Sequence, residues 1–171
     1  MISRLSSRGV LTLIVATVAL AIPAPAHSQT QDERDVIAVA QKFFDAMAAC
    51  DAKGASAITM PEGRLYRLAD GDAPSVLSST FTEVTGGLAK CRSKMLERIW
   101  QPEVRVHKGI ATLWAPYDFW LDGAFKHCGI DSFELVKSAQ GWKITGGTYT
   151  VEREGCEPSP LGPPVPAGAV R

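Results

Sequence analysis

Asp118, His127 and Asp131 stand close together in a stretch that also holds Trp114, Trp120, Phe125 and Phe133. A carboxylate that orients an imidazole makes a general acid/base pair, and a second carboxylate on the same face can assist it. The same groups also suit a purely structural hydrogen-bonded pair at a cavity rim. Their types overlap with those of metal ligands, but one imidazole beside two carboxylates is a poor zinc set, and the cysteines lack paired C-x2-C spacing. No metal or other cofactor is therefore expected. Nucleophilic catalysis has no support either, because no serine sits in a recognisable elbow.

Whether these groups meet depends on hairpin register. Asp122-Gly123 is a two-residue turn signal. It sets Leu121 opposite Ala124, Trp120 opposite Phe125, Asp118 opposite His127 and Trp114 opposite Asp131. A turn containing Gln140-Gly141, closed as the four-residue loop 138–141, sets Asp131 opposite Thr148 and Phe133 opposite Gly146. Strand alternation then sorts two faces. One carries Trp114, Asp118, Trp120, His127, Asp131 and Phe133; the other carries Tyr117, Lys126, Cys128, Glu134, Lys143 and Tyr149. The second set is mixed and charged, so it is expected to face outward. The first is aromatic with embedded ionisable groups, as a small-molecule site requires.

Something must cover that aromatic face. Thr30-Gln31-Asp32-Glu33 reads as a capping box. Val36, Val39, Phe43 and Met47 then recur at helical spacing, predicting an amphipathic helix over about 31–50. Phe43 and Met47 are expected to face the ligand with Trp114, Trp120 and Phe133. Asp51 caps a short second helix to Ile58, and Arg64 to Leu68 reads as a strand. Residues 69–79 read as a polar connection, and 81–90 as a weak helix interrupted by Gly86-Gly87. Residues 104–107, 110–121, 124–137 and 142–152 read as successive strands. Helices followed by a long antiparallel meander indicate an α+β domain.

The chain has 171 residues, which argues for one domain. Arg4 and Arg8 precede an uncharged run from Gly9 to Ile22, and Ala24-Pro25-Ala26 and Ala26-His27-Ser28 fit the small-x-small cleavage rule. Residues 1–28 are thus expected to be a signal peptide, 29–156 the folded domain, and 157–171 a flexible Pro/Gly-rich tail. Cleavage leaves 16 basic against 18 acidic side chains. That balance excludes a nucleic-acid footprint. No second apolar run suggests a membrane span. The expected compartment is periplasmic or extracellular, where an even number of cysteines, four here, favours disulfides.

The order helix, short helix, strand, helix and long meander resembles the nuclear transport factor 2-like (NTF2-like, SnoaL-like) superfamily. Trp114-x-x-Tyr117, His127-Cys128-Gly129 and Gly141-Trp142-Lys143-Ile144 resemble, more specifically, its bacterial branch labelled lumazine-binding. The resemblance implies a cone-shaped fold, with N-terminal helices packed on a curved antiparallel sheet, and a small-molecule ligand. It does not imply an activity, because the fold hosts enzymes and non-enzymes alike. The tyrosine that helps related ketosteroid isomerases hold an oxyanion falls on Phe43, and their general base falls near Arg67, so steroid isomerase chemistry is excluded. Cys128 is set outward near Val151, a few residues before Cys156. With the family's terminal Gly-Cys pattern, this points to a Cys128–Cys156 bridge and leaves Cys50 and Cys91 for a second.

Three functional readings follow. The first is an exported pocket protein holding a small, largely apolar or aromatic molecule. The second is a cofactor-free lyase, isomerase or cyclase using Asp118 and His127, with Asp131 assisting. The third is a non-catalytic interaction module, since related sheets often pair through their outer faces into a homodimer.

Overall fold

The computed structural model describes residues 28–69 and 75–164. The signal-peptide reading falls on residues almost wholly outside that range. Helix α1 (Gln31–Ala48) starts at the expected capping box: Thr30 Oγ1 accepts from the Glu33 N–H at 3.2 Å, and the Glu33 carboxylate accepts from the Thr30 N–H at 2.6 Å. Val36, Val39, Ala40, Phe43 and Phe44 form its buried stripe. The chain leaves the helix through Cys50 at φ 54°, and Asp51 caps α2 (Ala52–Ile58) by accepting from Gly54 N–H at 2.9 Å.

Strand β1 (Thr59–Ala69) and strand β2 (Ser75–Thr80) pair antiparallel, and α3 (Phe81–Leu88) follows behind a second capping box, Thr80 with Glu83. The remaining strands are β3 (Met95–Ile99), β4 (Glu103–His107), β5 (Ile110–Leu121), β6 (Ala124–Ser138) and β7 (Gly141–Val151). Among the described residues they form a seven-stranded sheet of order β2-β1-β7-β6-β5-β3. Strand β4 shares the β5 edge with β3. The sheet is mixed rather than purely antiparallel, because β1 runs parallel to β7. Strands β2 and β3 lie in segments that the residue pattern left without an element.

The helices cover one face of the curved sheet. Phe43 meets Phe81 and Phe133 edge-on at 5.9 and 6.1 Å, and Phe44 meets Phe133 at 5.9 Å. Leu113, Leu135 and Ile144 complete this core. Each large apolar side chain buried there contributes roughly 1.5–3 kcal/mol.

Two disulfides close the described chain, Cys50–Cys91 and Cys128–Cys156, with Cα separations of 5.8 and 5.9 Å. Bridges of this kind belong to an oxidising environment. No helix among the described residues is long and apolar enough to cross a membrane. Beyond Cys156, residues 157–164 stay out of the core but lie along the sheet, where Arg98 Nη2 donates to the Gly162 carbonyl at 2.9 Å.

Candidate functional site

The two hairpins begin as the turn residues predict and then change register. At the first, Leu121 faces Ala124 and Trp120 faces Phe125, with Asp122 and Gly123 at φ 52° and 80°. A bulge at Lys126 then shifts the pairing by one residue. His127 therefore faces Phe119, and Asp118 faces Cys128. In the second hairpin Leu135 still faces Ile144, but a bulge follows and sets Asp131 opposite Tyr149 and Phe133 opposite Gly147. A one-residue slip moves every later side chain to the other face.

Several expectations are corrected by that slip. Asp118 and His127 do not meet. Asp118 lies on the outer face in a bidentate pair with Arg98, Nε to Oδ1 at 2.8 Å and Nη2 to Oδ2 at 2.5 Å. Trp114 is outward and 52 % exposed, so it lines no concave pocket. Trp120 packs against Phe125 and under the Arg98 guanidinium on that same outer side. Tyr117 and Tyr149, read as outward, turn inward instead: Tyr117 is fully buried and Tyr149 lines the concave cavity.

His127, Asp131, Phe133, Phe43 and Met47 do come together. They line a cavity of about 230 Å³ between the helices and the sheet, with Glu97, Phe119, Tyr149, Leu65, Val84 and Met95. A larger groove of about 550 Å³ runs past Arg105, His107, Ile110 and Glu134. It is the more open of the two, and the buried titratable groups converge in the smaller cavity instead.

Those groups are shaped by burial. His127 stacks on Phe119 at 4.9 Å and lies 3.0 Å, through Nδ1, from the Tyr117 hydroxyl. Tyr117 spends its one hydrogen on the Thr150 carbonyl at 2.6 Å. Nδ1–H must then donate to Tyr117, leaving Nε2 as the ring's lone pair. Burial, helped by the Arg67 and Arg153 charges, lowers the His127 pKa to about 4, so the ring is neutral at pH 7. Burial likewise raises the Tyr117 hydroxyl.

Glu97 and Asp131 lie within hydrogen-bonding reach of each other. As two carboxylates they share no hydrogen, and Asp131 Oδ2, in a side chain only 2 % exposed, then has no partner. A proton shared by the two carboxyls lets them hydrogen-bond to each other, while no donor elsewhere among the described residues reaches Asp131 Oδ2. Burial, the adjacent Asp131 charge and that hydrogen bond raise Glu97 well above the usual carboxyl range; burial raises Asp131 as well. The pair is therefore a proton-holding unit rather than two independent acids.

Glu97 was not singled out by residue type and spacing. Its signal is the run Met95-Leu96-Glu97-Arg98-Ile99, whose alternation places Glu97 on the face of Met95 and Ile99. Among the described residues, no group of three His, Cys, Asp or Glu side chains is placed to hold a metal ion.

No family model matches the sequence, and no curated protein matches it. Solved structures do. A Nostoc punctiforme protein of unknown function with a cystatin-like fold superposes with a TM-score of 0.59 at 12% identity, over 78% of this chain and 97% of its own. A provisional dehydratase of the NTF2-like family from Streptomyces avermitilis gives 0.56 at 16% identity, over 70% and 95%. An NTF2-like superfamily protein from Salmonella enterica gives 0.57 at 13% identity, over 73% and 94%. Identities this low speak for architecture alone, and the architecture is that of the nuclear transport factor 2-like fold.

Proposed function

We propose that this chain is an exported pocket protein that holds one small, largely apolar or aromatic molecule between α1 and the concave face of the sheet. The observation that carries this reading is the cavity itself: Phe43, Met47, Phe119 and Phe133 supply apolar walls, and Glu97, Asp131 and His127 supply a few convergent polar groups. Its volume of about 230 Å³ falls below the ~300–1,000 Å³ common for ligand sites. The occupant is therefore a compact molecule of one or two rings. Export rests on the N-terminal leader pattern and agrees with the two disulfides. The test is native mass spectrometry of protein purified from its own host's cell envelope. A retained small mass that Phe133→Trp displaces supports the reading. Protein that carries nothing, and whose melting temperature no member of a fragment library shifts, overturns it.

A second reading is proton-transfer catalysis without a cofactor. It is favoured by displaced proton affinities at Glu97, Asp131 and His127 within one cavity. Its acid/base unit would be Glu97 with Asp131, since Asp118 is engaged with Arg98 on the other face.

A further inference from the structure

The cavity wall is unbalanced in hydrogen-bonding terms. Glu97 offers carboxyl oxygens, Asp131 has an oxygen that no fixed donor of the protein satisfies, and His127 presents a lone pair once its Nδ1–H is committed to Tyr117. The titratable groups around the acid pair are Tyr117 and Asp118 from β5, His127 from β6 and Tyr149 from β7; farther out, toward His127 and Tyr149, stand Arg67 from β1, whose buried Nε has no partner, and Arg153 just past β7. Helices α1 and α3 contribute only Phe43, Met47 and Val84 to this wall. The ion pairs among the described residues are Arg98–Asp118 and Lys137–Asp32, so no cationic side chain pairs with Glu97 or Asp131.

Two adjacent carboxyl groups, Asp131 buried and Glu97 half-buried, cannot readily both ionise without a counter-charge. What the wall lacks is a positive charge with several N–H donors. We propose, resting on the cavity's being a ligand site, that its ligand is an amine on a small apolar or aromatic skeleton, with the ammonium seated against Glu97 and Asp131. The surrounding rings of Phe43, Phe119, Phe133 and Tyr149 accept the skeleton and tolerate the cation, since aromatic faces attract ammonium groups. Seating the ammonium ionises the pair, so binding releases protons. Affinity then rises with pH through the titration of the empty pair, by up to about tenfold per pH unit for each proton released, and levels off above it.

The experiment is calorimetric titration of the oxidised, leaderless full chain with 2-phenylethylamine, 2-phenylethanol and phenylacetate at several pH values, in buffers of different ionisation heat. The amine is expected to bind at least about tenfold more tightly than the alcohol at pH 7.5, with buffer-dependent heat marking proton release. Glu97→Gln and Asp131→Asn, each verified as folded by circular dichroism, should erase the amine's advantage over the alcohol together with the buffer-dependent heat. An alcohol that binds as tightly as the amine, an amine affinity that falls with rising pH, or a preference for phenylacetate directed by Arg67 would each overturn the amine assignment while the pocket stands. Failure of the pocket looks different: no probe binds, and both readings fall.

Discussion

His127 and Asp131 sit in one cavity, and burial drives both toward the uncharged form, His127 by giving up its proton and Asp131 by keeping one. For His127 the folded pKa, about 4, lies below its ordinary 6.5. The unfolded chain therefore takes up the proton first, and stability should fall as pH drops from about 6.5 toward 4. His127→Gln should flatten that portion of the curve, as thermal melts of both proteins between pH 4 and 7 would reveal. For Asp131 the folded pKa is raised by burial. Its protonated form favours folding at low pH, and that contribution is lost as pH rises through the folded value. Asp131→Asn, which cannot ionise, should gain stability relative to the parent between pH 5 and pH 9. Urea midpoints at the two pH values read the sign directly, and a variant that loses ground at pH 9 would contradict the raised value.

At the level of strands and helices, most of what the residue pattern could supply was supplied by local chemistry. The capping box at Thr30, the stripe through Phe43 and the turn at Asp122-Gly123 all depend on near neighbours, and all are present. Strand β3 was missed because its run is five residues long and lies between polar segments. The bulges were missed for a deeper reason. Lys126 and Thr145 carry no turn chemistry, and a bulge is fixed by what the neighbouring strands and helices need to cover. Half of the cavity wall was therefore legible, through His127, Asp131, Phe133, Phe43 and Met47. Of the rest, Phe119 and Tyr149 depended on register and Glu97 on the missed strand β3. Gly129 marks a close approach beyond the first bulge: a Cβ there would lie 2.4 Å from the Thr150 carbonyl oxygen and 2.9 Å from the Tyr117 ring. Gly129→Ala should cost about 1–3 kcal/mol by overpacking and loosen the Tyr117–His127 contact. A urea midpoint equal to the parent's would refute that.

Across the whole molecule, the two disulfides add covalent ties between parts of the chain that are far apart in sequence. Cys50–Cys91 links the end of α1 to the chain beyond α3, spanning 41 residues, and Cys128–Cys156 links β6 to the start of the tail, spanning 28. In the chain-entropy model each is worth roughly 3 to 4 kcal/mol. The double substitution Cys128→Ser with Cys156→Ser should lower the unfolding free energy by an amount of that order and release residues 157–164 from Arg98. Non-reducing peptide mapping that recovers Cys128 as a free thiol would remove the basis for both effects.

The parallel seam between β1 and β7 has a consequence in time. Arg64 lies beside Gly146 and Ala69 beside Val151, so a strand made early finds its neighbour only when the last strand exists. Until then β1 has β2 for company, and a lone two-stranded ribbon is at best marginally stable. Closing so long a stretch of chain before any reward is gained slows folding. A newly made chain thus has a strand from its first half waiting on one from its last fifth. A ribosome stalled before Gly146 should hold a nascent chain that proteases still cut within β1, whereas one released past Val151 should become resistant there in a single step.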